Sequence, residues 1–209
     1  MHKKLMLACM AIAAFAAFVI APAASASPVL TEPSVTPETV PVGASIKGTN
    51  TGDTFFTIAK DSTKVDCTHA EFKGTVTKNS AGQIKGEIPL GGSSFSGTGA
   101  NGDCTSPLGD IAPSVTSKLC LETVEGTDSV KVTGCGANVS FSLKVTNVTT
   151  CKYSVASVTG TFVTGADATV NVSEGEAALA EPNVFCPSKG WLDMDFDLTT
   201  TDGTTLNVS

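Results

Sequence analysis

Six cysteines constrain this chain more than any other feature: Cys67, Cys104, Cys120, Cys135, Cys151 and Cys186. None stands in a C-x-x-C pair, and the stretch holding them has a single histidine, His69. The ligand spacing of a zinc site is therefore absent. An even set of cysteines behind a secretory leader implies disulfides. Such a leader is present: Met1-His-Lys-Lys4 is positive, Leu5 to about Ile20 is apolar, and Ala24-Ser-Ala26 fits the small-residue cleavage rule. Residues 1–26 read as a signal peptide, cut after Ala26, which leaves no transmembrane anchor and places the product outside the cell or at its surface. A retained anchor is the alternative, and the apolar run is slightly short for it. Cys9 in Leu7-Ala8-Cys9 lies too early in the apolar run for a lipoprotein cut and leaves with the leader.

The chain beyond Ala26 is rich in threonine, serine, glycine and valine, and helix formers are scarce. That composition suits pleated strands joined by tight turns. Residues 27–42, with Pro28, Pro33, Pro37 and Pro41, read as a Pro-rich linker or an edge segment. From Gly43 onward, strand signals alternate with turns: 44–50, 54–60, 71–77, 83–89, 139–145, 151–163 with a bend at Gly160, 168–172, 191–198 and 204–208. Only Glu174 to Ala180 has the makings of a helical turn. The expected fold is all-β, an antiparallel sandwich or barrel over 43–209.

The stretch Leu119 to Cys135 reads as a hairpin around the polar run Gly126-Thr127-Asp128-Ser129. A two-residue loop, Thr127-Asp128, would set Cys120 directly opposite Cys135. Leu119, Leu121, Val130 and Val132 would share the core face, with Cys120, Glu122, Lys131, Thr133 and Cys135 on the other.

Two segments look alike. Cys67 leads through Gly74-Thr-Val76 to Cys104-Thr-Ser106, and Cys151 leads through Gly160-Thr-Phe162 to Cys186-Pro-Ser188. The halves, about 43–135 and 136–209, read as an internal repeat. If each half pairs its own cysteines, the bridges are Cys67–Cys104 and Cys151–Cys186, and Cys120–Cys135 remains to close the central hairpin. With its leader, its Thr/Gly-rich strands, and Cys186-Pro-Ser188 before a closing hairpin, the chain resembles a group of bacterial secreted, disulfide-bonded all-β proteins. The resemblance implies no activity.

Charge excludes several functions. The net charge is −7, falling to about −9 once Lys3 and Lys4 leave with the leader, and there is no arginine. Nucleic acid and anionic membranes are poor partners for such a chain, and bidentate clamps on phosphate are unavailable. Asp193, Asp195 and Asp197 alternate with apolar residues, so they share one strand face. Three carboxylates there are candidate calcium ligands, but the positions of an EF-hand glycine and closing glutamate hold Leu198 and Thr204. A solvated face is the competing explanation. Asp66 and His69 form the one local acid–histidine pair, and no G-x-S-x-G elbow accompanies it. Four N-x-S/T sequons begin at Asn138, Asn147, Asn171 and Asn207.

No catalytic residue, cofactor or metal is assigned on this reading. The expected function is a non-catalytic structural or binding module whose partner is cell-wall material, an extracellular glycan or a protein. The alternatives are an extracellular hydrolase of glycosides or esters, and a carbohydrate-binding module. His69 in a cleft beside a serine and a carboxylate would favour the first. Trp191 and Tyr153 exposed on one face would favour the second.

Overall fold

A computed structural model describes residues 28–33, 38–52, 54–58, 63–125, 127–163 and 167–208. The signal peptide read in 1–26 lies outside the described residues. Among the described residues, eighteen strands succeed one another. They are β1 (Leu30–Glu32), β2 (Glu38–Thr39), β3 (Ser45–Asn50), β4 (Thr54–Ile58), β5 (Thr63–Asp66) and β6 (His69–Ser80). Next come β7 (Gln83–Ile88), β8 (Ser93–Ser96), β9 (Cys104–Ser106), β10 (Gly109–Val115), β11 (Leu119–Thr123) and β12 (Ser129–Thr133). The last are β13 (Val139–Val145), β14 (Thr149–Val155), β15 (Val158–Val163), β16 (Thr169–Leu179), β17 (Lys189–Thr200) and β18 (Asn207–Val208).

Eight strands close an antiparallel barrel. The circuit runs β3–β17–β16–β15–β12–β11–β7–β6 and returns to β3. Closure removes the open edges that a flat sheet of this length would leave. The outer strands make a second circuit of pairings, leaving β17 through β4, β5, β9, β10, β13 and β14 and rejoining at β16. Both circuits share β16 and β17 because these strands are long. Phe196 to Thr200 of β17 pair with β3, whereas Gly190 to Leu192 pair with β4. The halves 43–135 and 136–209 do not form two separate units, since each circuit takes strands from both.

Side-chain alternation sets the layers. In β13 the sequence Val-Ser-Phe-Ser-Leu-Lys-Val buries Val139, Phe141, Leu143 and Val145 and turns the others outward. The second circuit is filled by Phe56, Phe141 and Tyr153, whose rings pack in contact with one another. Gly190 makes room for them: a Cβ there would lie 1.8 Å from Phe56 Cζ.

The three disulfides join Cys67 to Cys104, Cys120 to Cys135 and Cys151 to Cys186, as the repeat implies. Two of them, Cys67–Cys104 and Cys151–Cys186, sit where backbone pairing is thin. β5 and β9 share one paired position, Asp66 with Thr105, and Cys67–Cys104 is its immediate neighbour. β14 meets β16 at two positions, and Cys151–Cys186 ties β14 to the loop that follows β16.

The central hairpin departs from the expected register. Cys120 pairs with Thr133 and Leu121 with Val132, so the connection from Val124 to Ser129 encloses four residues instead of two. Thr127 organises this longer turn. Its N–H and its hydroxyl both donate to the Val124 carbonyl, and its Oγ1 accepts from the Ser129 N–H. The shift is two residues, so every side chain keeps its face. Leu119 and Val130 are buried as expected. Cys135 still reaches Cys120 because the chain bends back beyond Thr133. Gly134 N–H donates to the Ala137 carbonyl, and Cys135 adopts φ +56°.

Three further expectations change. Residues 174–179 belong to strand β16, because their inward positions complete the shared wall of both circuits. The long strand expected over 151–163 is two strands, β14 and β15, which lie on either side of β16 and pair on their other edges with β13 and β12. After β17 the chain turns at Asp202-Gly203, touches it once at Thr199–Thr205, and then joins β1. The Pro-rich segment is thus built into the fold. β18, β1 and β2 form a small sheet, with Leu30, Val40, Leu206 and Val208 all buried.

Candidate functional site

The barrel interior is incompletely filled. Ile46, Phe72, Leu121, Val132, Met194 and Leu198 face inward by strand alternation, yet each is only partly buried. They look onto a cavity of about 140 Å³ with an almost wholly apolar wall. Closed eight-stranded barrels are just wide enough for side chains to fill them or for one small ligand to enter. Here glycines decide which. Gly48, Gly74, Gly86 and Gly160 all take inward positions beside large residues: Gly48 pairs with Phe72 and Leu198, and Gly86 with Val76 and Leu121.

The inward glycines differ in kind. A Cβ at Gly74 would lie 2.6 Å from the Glu87 carbonyl oxygen, and one at Gly160 2.7 Å from that of Asn171. Backbone approach demands glycine at those positions. A Cβ at Gly48 or Gly86 meets nothing nearer than 3.5 and 3.4 Å. Those two positions leave space that a side chain would occupy.

One end of the barrel is closed by Leu30. Asn79 of β6 holds it there: Leu30 N–H donates to Asn79 Oδ1 (3.0 Å), while Asn79 Nδ2 donates to the carbonyls of Leu30 (2.8 Å) and Val40 (2.9 Å). One amide side chain thereby satisfies three backbone groups of the N-terminal segment.

Polar chemistry lies on the outer face instead. Lys73 Nζ is 2.7 Å from Glu71, with Lys47 at 3.9 Å on the other side. Lys73 and then Lys47 hold the Glu71 carboxyl below its ordinary range. Lys85 pairs with Glu122 and Lys118 with Glu87 around the Cys120–Cys135 bridge. A charged exterior around an apolar interior is the reverse of a lipid-facing barrel. Among the described residues no helix is long and apolar enough to cross a membrane.

The aspartates alternate along the outer face of β17. Asp193 and Asp195 are exposed, and Asp197 is half-buried, accepting from Thr169 Oγ1 at 3.1 Å. Among the described residues no three His, Cys, Asp or Glu side chains gather closely enough to hold a metal ion. His69 opens β6, exposed, in register with Ser96 and two residues from Glu71. All three face outward from the barrel wall. Tyr153 is buried, its hydroxyl donating to the Pro187 carbonyl at 3.1 Å, while Trp191 is half-exposed on β17. The two aromatics therefore form no shared platform. Asn138, Asn147 and Asn171 are exposed, and Asn207 is half-buried.

Comparison of the chain with protein-family models, with curated proteins and with solved structures gives no match. The cavity is the feature that sequence reasoning missed. Its signal lies in Lys47-Gly-Thr49 and Lys85-Gly-Glu87, where glycine takes an inward position that alternation reserves for a large apolar residue.

Proposed function

We propose that this chain is a secreted, non-catalytic binding or structural protein working outside the cytoplasm. The observation that carries the reading is the segregation of its chemistry. Its interior concavity is apolar, while its charged groups are spread over the outer wall, where Lys73 pairs with Glu71, Lys85 with Glu122 and Lys118 with Glu87. Acid–base catalysis needs such groups converging on a substrate held in a concave site. Three disulfides suit an oxidising compartment. Contact with an envelope or extracellular partner gains support from exposed apolar loop tips. Val184 and Phe185 precede Cys186, and Asn183 of the same loop donates to Thr149 Oγ1 at 2.8 Å, beside exposed Val148.

The test is a substrate screen of the oxidised protein against esters, peptides and glycosides, with retention on cell-wall material and on a glycan array measured in parallel. The expected outcome is retention without turnover. Turnover that disappears in His69→Ala, or in Glu71→Gln with folding intact, would establish a hydrolase instead.

A further inference from the structure

We propose that the barrel interior is a binding site for one small apolar molecule, a single aromatic ring or a short alkyl chain. The inference deepens the reading of the chain as a binding protein and rests on it. Three observations carry it. First, the cavity, at about 140 Å³, is close to the size of apolar cavities that stay dry and take up benzene. Second, its wall supplies no hydrogen-bonding side chain. The bordering Thr75 is exposed on the outer face by strand alternation, and Lys85, Glu87 and Glu122 engage in ion pairs there, away from the interior. A ligand carrying a hydroxyl would therefore leave that group without a partner. Third, the space is made at positions where larger residues fit. Gly48 and Gly86 each have room for a Cβ at ordinary contact distance, whereas at Gly74 and Gly160 the backbone excludes one. Leu30 completes the lining and is 1% exposed, so a molecule inside is shielded from water at that end.

Met194 is the one methionine among the described residues and lies in the cavity wall, so a ¹³C-labelled methionine methyl reports on occupancy. Oxidised protein is titrated with benzene, n-hexane and phenol while that resonance and the melting temperature are followed. Benzene or n-hexane is expected to shift the methyl resonance saturably and to raise the melting temperature, because a ligand that binds only the folded state stabilises it. Phenol is expected to bind at least tenfold more weakly than benzene. Gly86→Val should abolish the saturable shift while melting no lower than the unmodified chain. Absence of any saturable shift with benzene and n-hexane in the unmodified, folded protein overturns the site, and that titration decides even if Gly86→Val does not fold. Phenol binding as tightly as benzene, or Gly86→Val binding like the original, also overturns it. Enzymatic turnover in the substrate screen would instead overturn the non-catalytic reading and leave this titration readable on its own.

Discussion

Tyr153 shows how much one side chain is asked to do in the second circuit. Its ring stacks on Phe141 and tilts against Phe56, and its hydroxyl must find a partner because burial removes water. The Pro187 carbonyl is that partner. Burial pushes its pKa from the ordinary 10 up to about 12. The neutral phenol is therefore favoured more in the folded chain than in the unfolded one. The stability this represents is fully present below pH 10 and is lost as pH rises from 10 through about 12, where the unfolded chain sheds a proton that the folded one keeps. As this is the chain's one tyrosine, its phenolate absorbance can be followed without interference. We expect ionisation near pH 12 together with a fall in melting temperature above pH 10. Tyr153→Phe should flatten that fall and cost about 1 kcal/mol at neutral pH for the lost hydrogen bond. An ordinary titration near pH 10 in the folded protein would show the ring to be reachable by water. The sequence marked Tyr153 as an aromatic of interest. Its burial, however, depends on β16 and on the loop carrying Pro187, more than twenty residues away.

The elements are joined unevenly, and the disulfides compensate. Cys67–Cys104 closes a 37-residue separation beside a single paired position, and Cys120–Cys135 a 15-residue separation across strands that already pair at four positions. On the loop-entropy model the first contributes about 4 kcal/mol and the second about 3. The first also holds the second circuit shut. Replacing both Cys67 and Cys104 with alanine should therefore lower stability more than replacing Cys120 and Cys135. Denaturant midpoints measure the difference, and equal losses would mean that the thin join does not depend on its bridge. Accessibility orders the chemistry as well. Cys67, Cys104, Cys151 and Cys186 are buried, whereas Cys120 and Cys135 are partly exposed on the outer wall. Under limiting dithiol, Cys120–Cys135 is expected to be reduced first, with alkylation and peptide mapping as the readout. The pairing was legible from the repeat. The hairpin register was not, because the turn residues fit a two-residue loop on composition while the Thr127 side chain stabilises a longer one.

For the molecule as a whole, the N-terminal segment acts as a stopper for the barrel. Leu30 and Val40 are each 1% exposed, and Asn79 holds the segment on β6 by donating to two of its carbonyls and accepting from the Leu30 N–H. Asn79→Ala leaves buried backbone groups unpaired, at a cost of about 2–3 kcal/mol. We expect that variant to melt lower, and limited proteolysis to cut within residues 28–42 before anywhere in the barrel. Proteolysis no faster than in the unmodified chain would mean that apolar burial alone seats the segment. Proline content made the same residues look like a spacer, because the sequence shows missing ladder donors but not the neighbouring side chain that replaces them.

Local chemistry determined a good deal unaided. Period-two alternation and the shortage of helix formers called for antiparallel sheet. The cysteine spacing with its repeat called for three bridges. Alternation in Trp191 to Leu198 put the aspartates on an outer face, because neighbouring side chains on a strand must point to opposite sides. Tertiary structure alone decided which strands meet. The lengths of β16 and β17 let two circuits share one wall, and closure turned a sheet face into an interior. Whether that interior is full depends on side chains from eight strands summed across the barrel. No single strand carries that sum, so the space left at Gly48 and Gly86 exists only once the ring has closed.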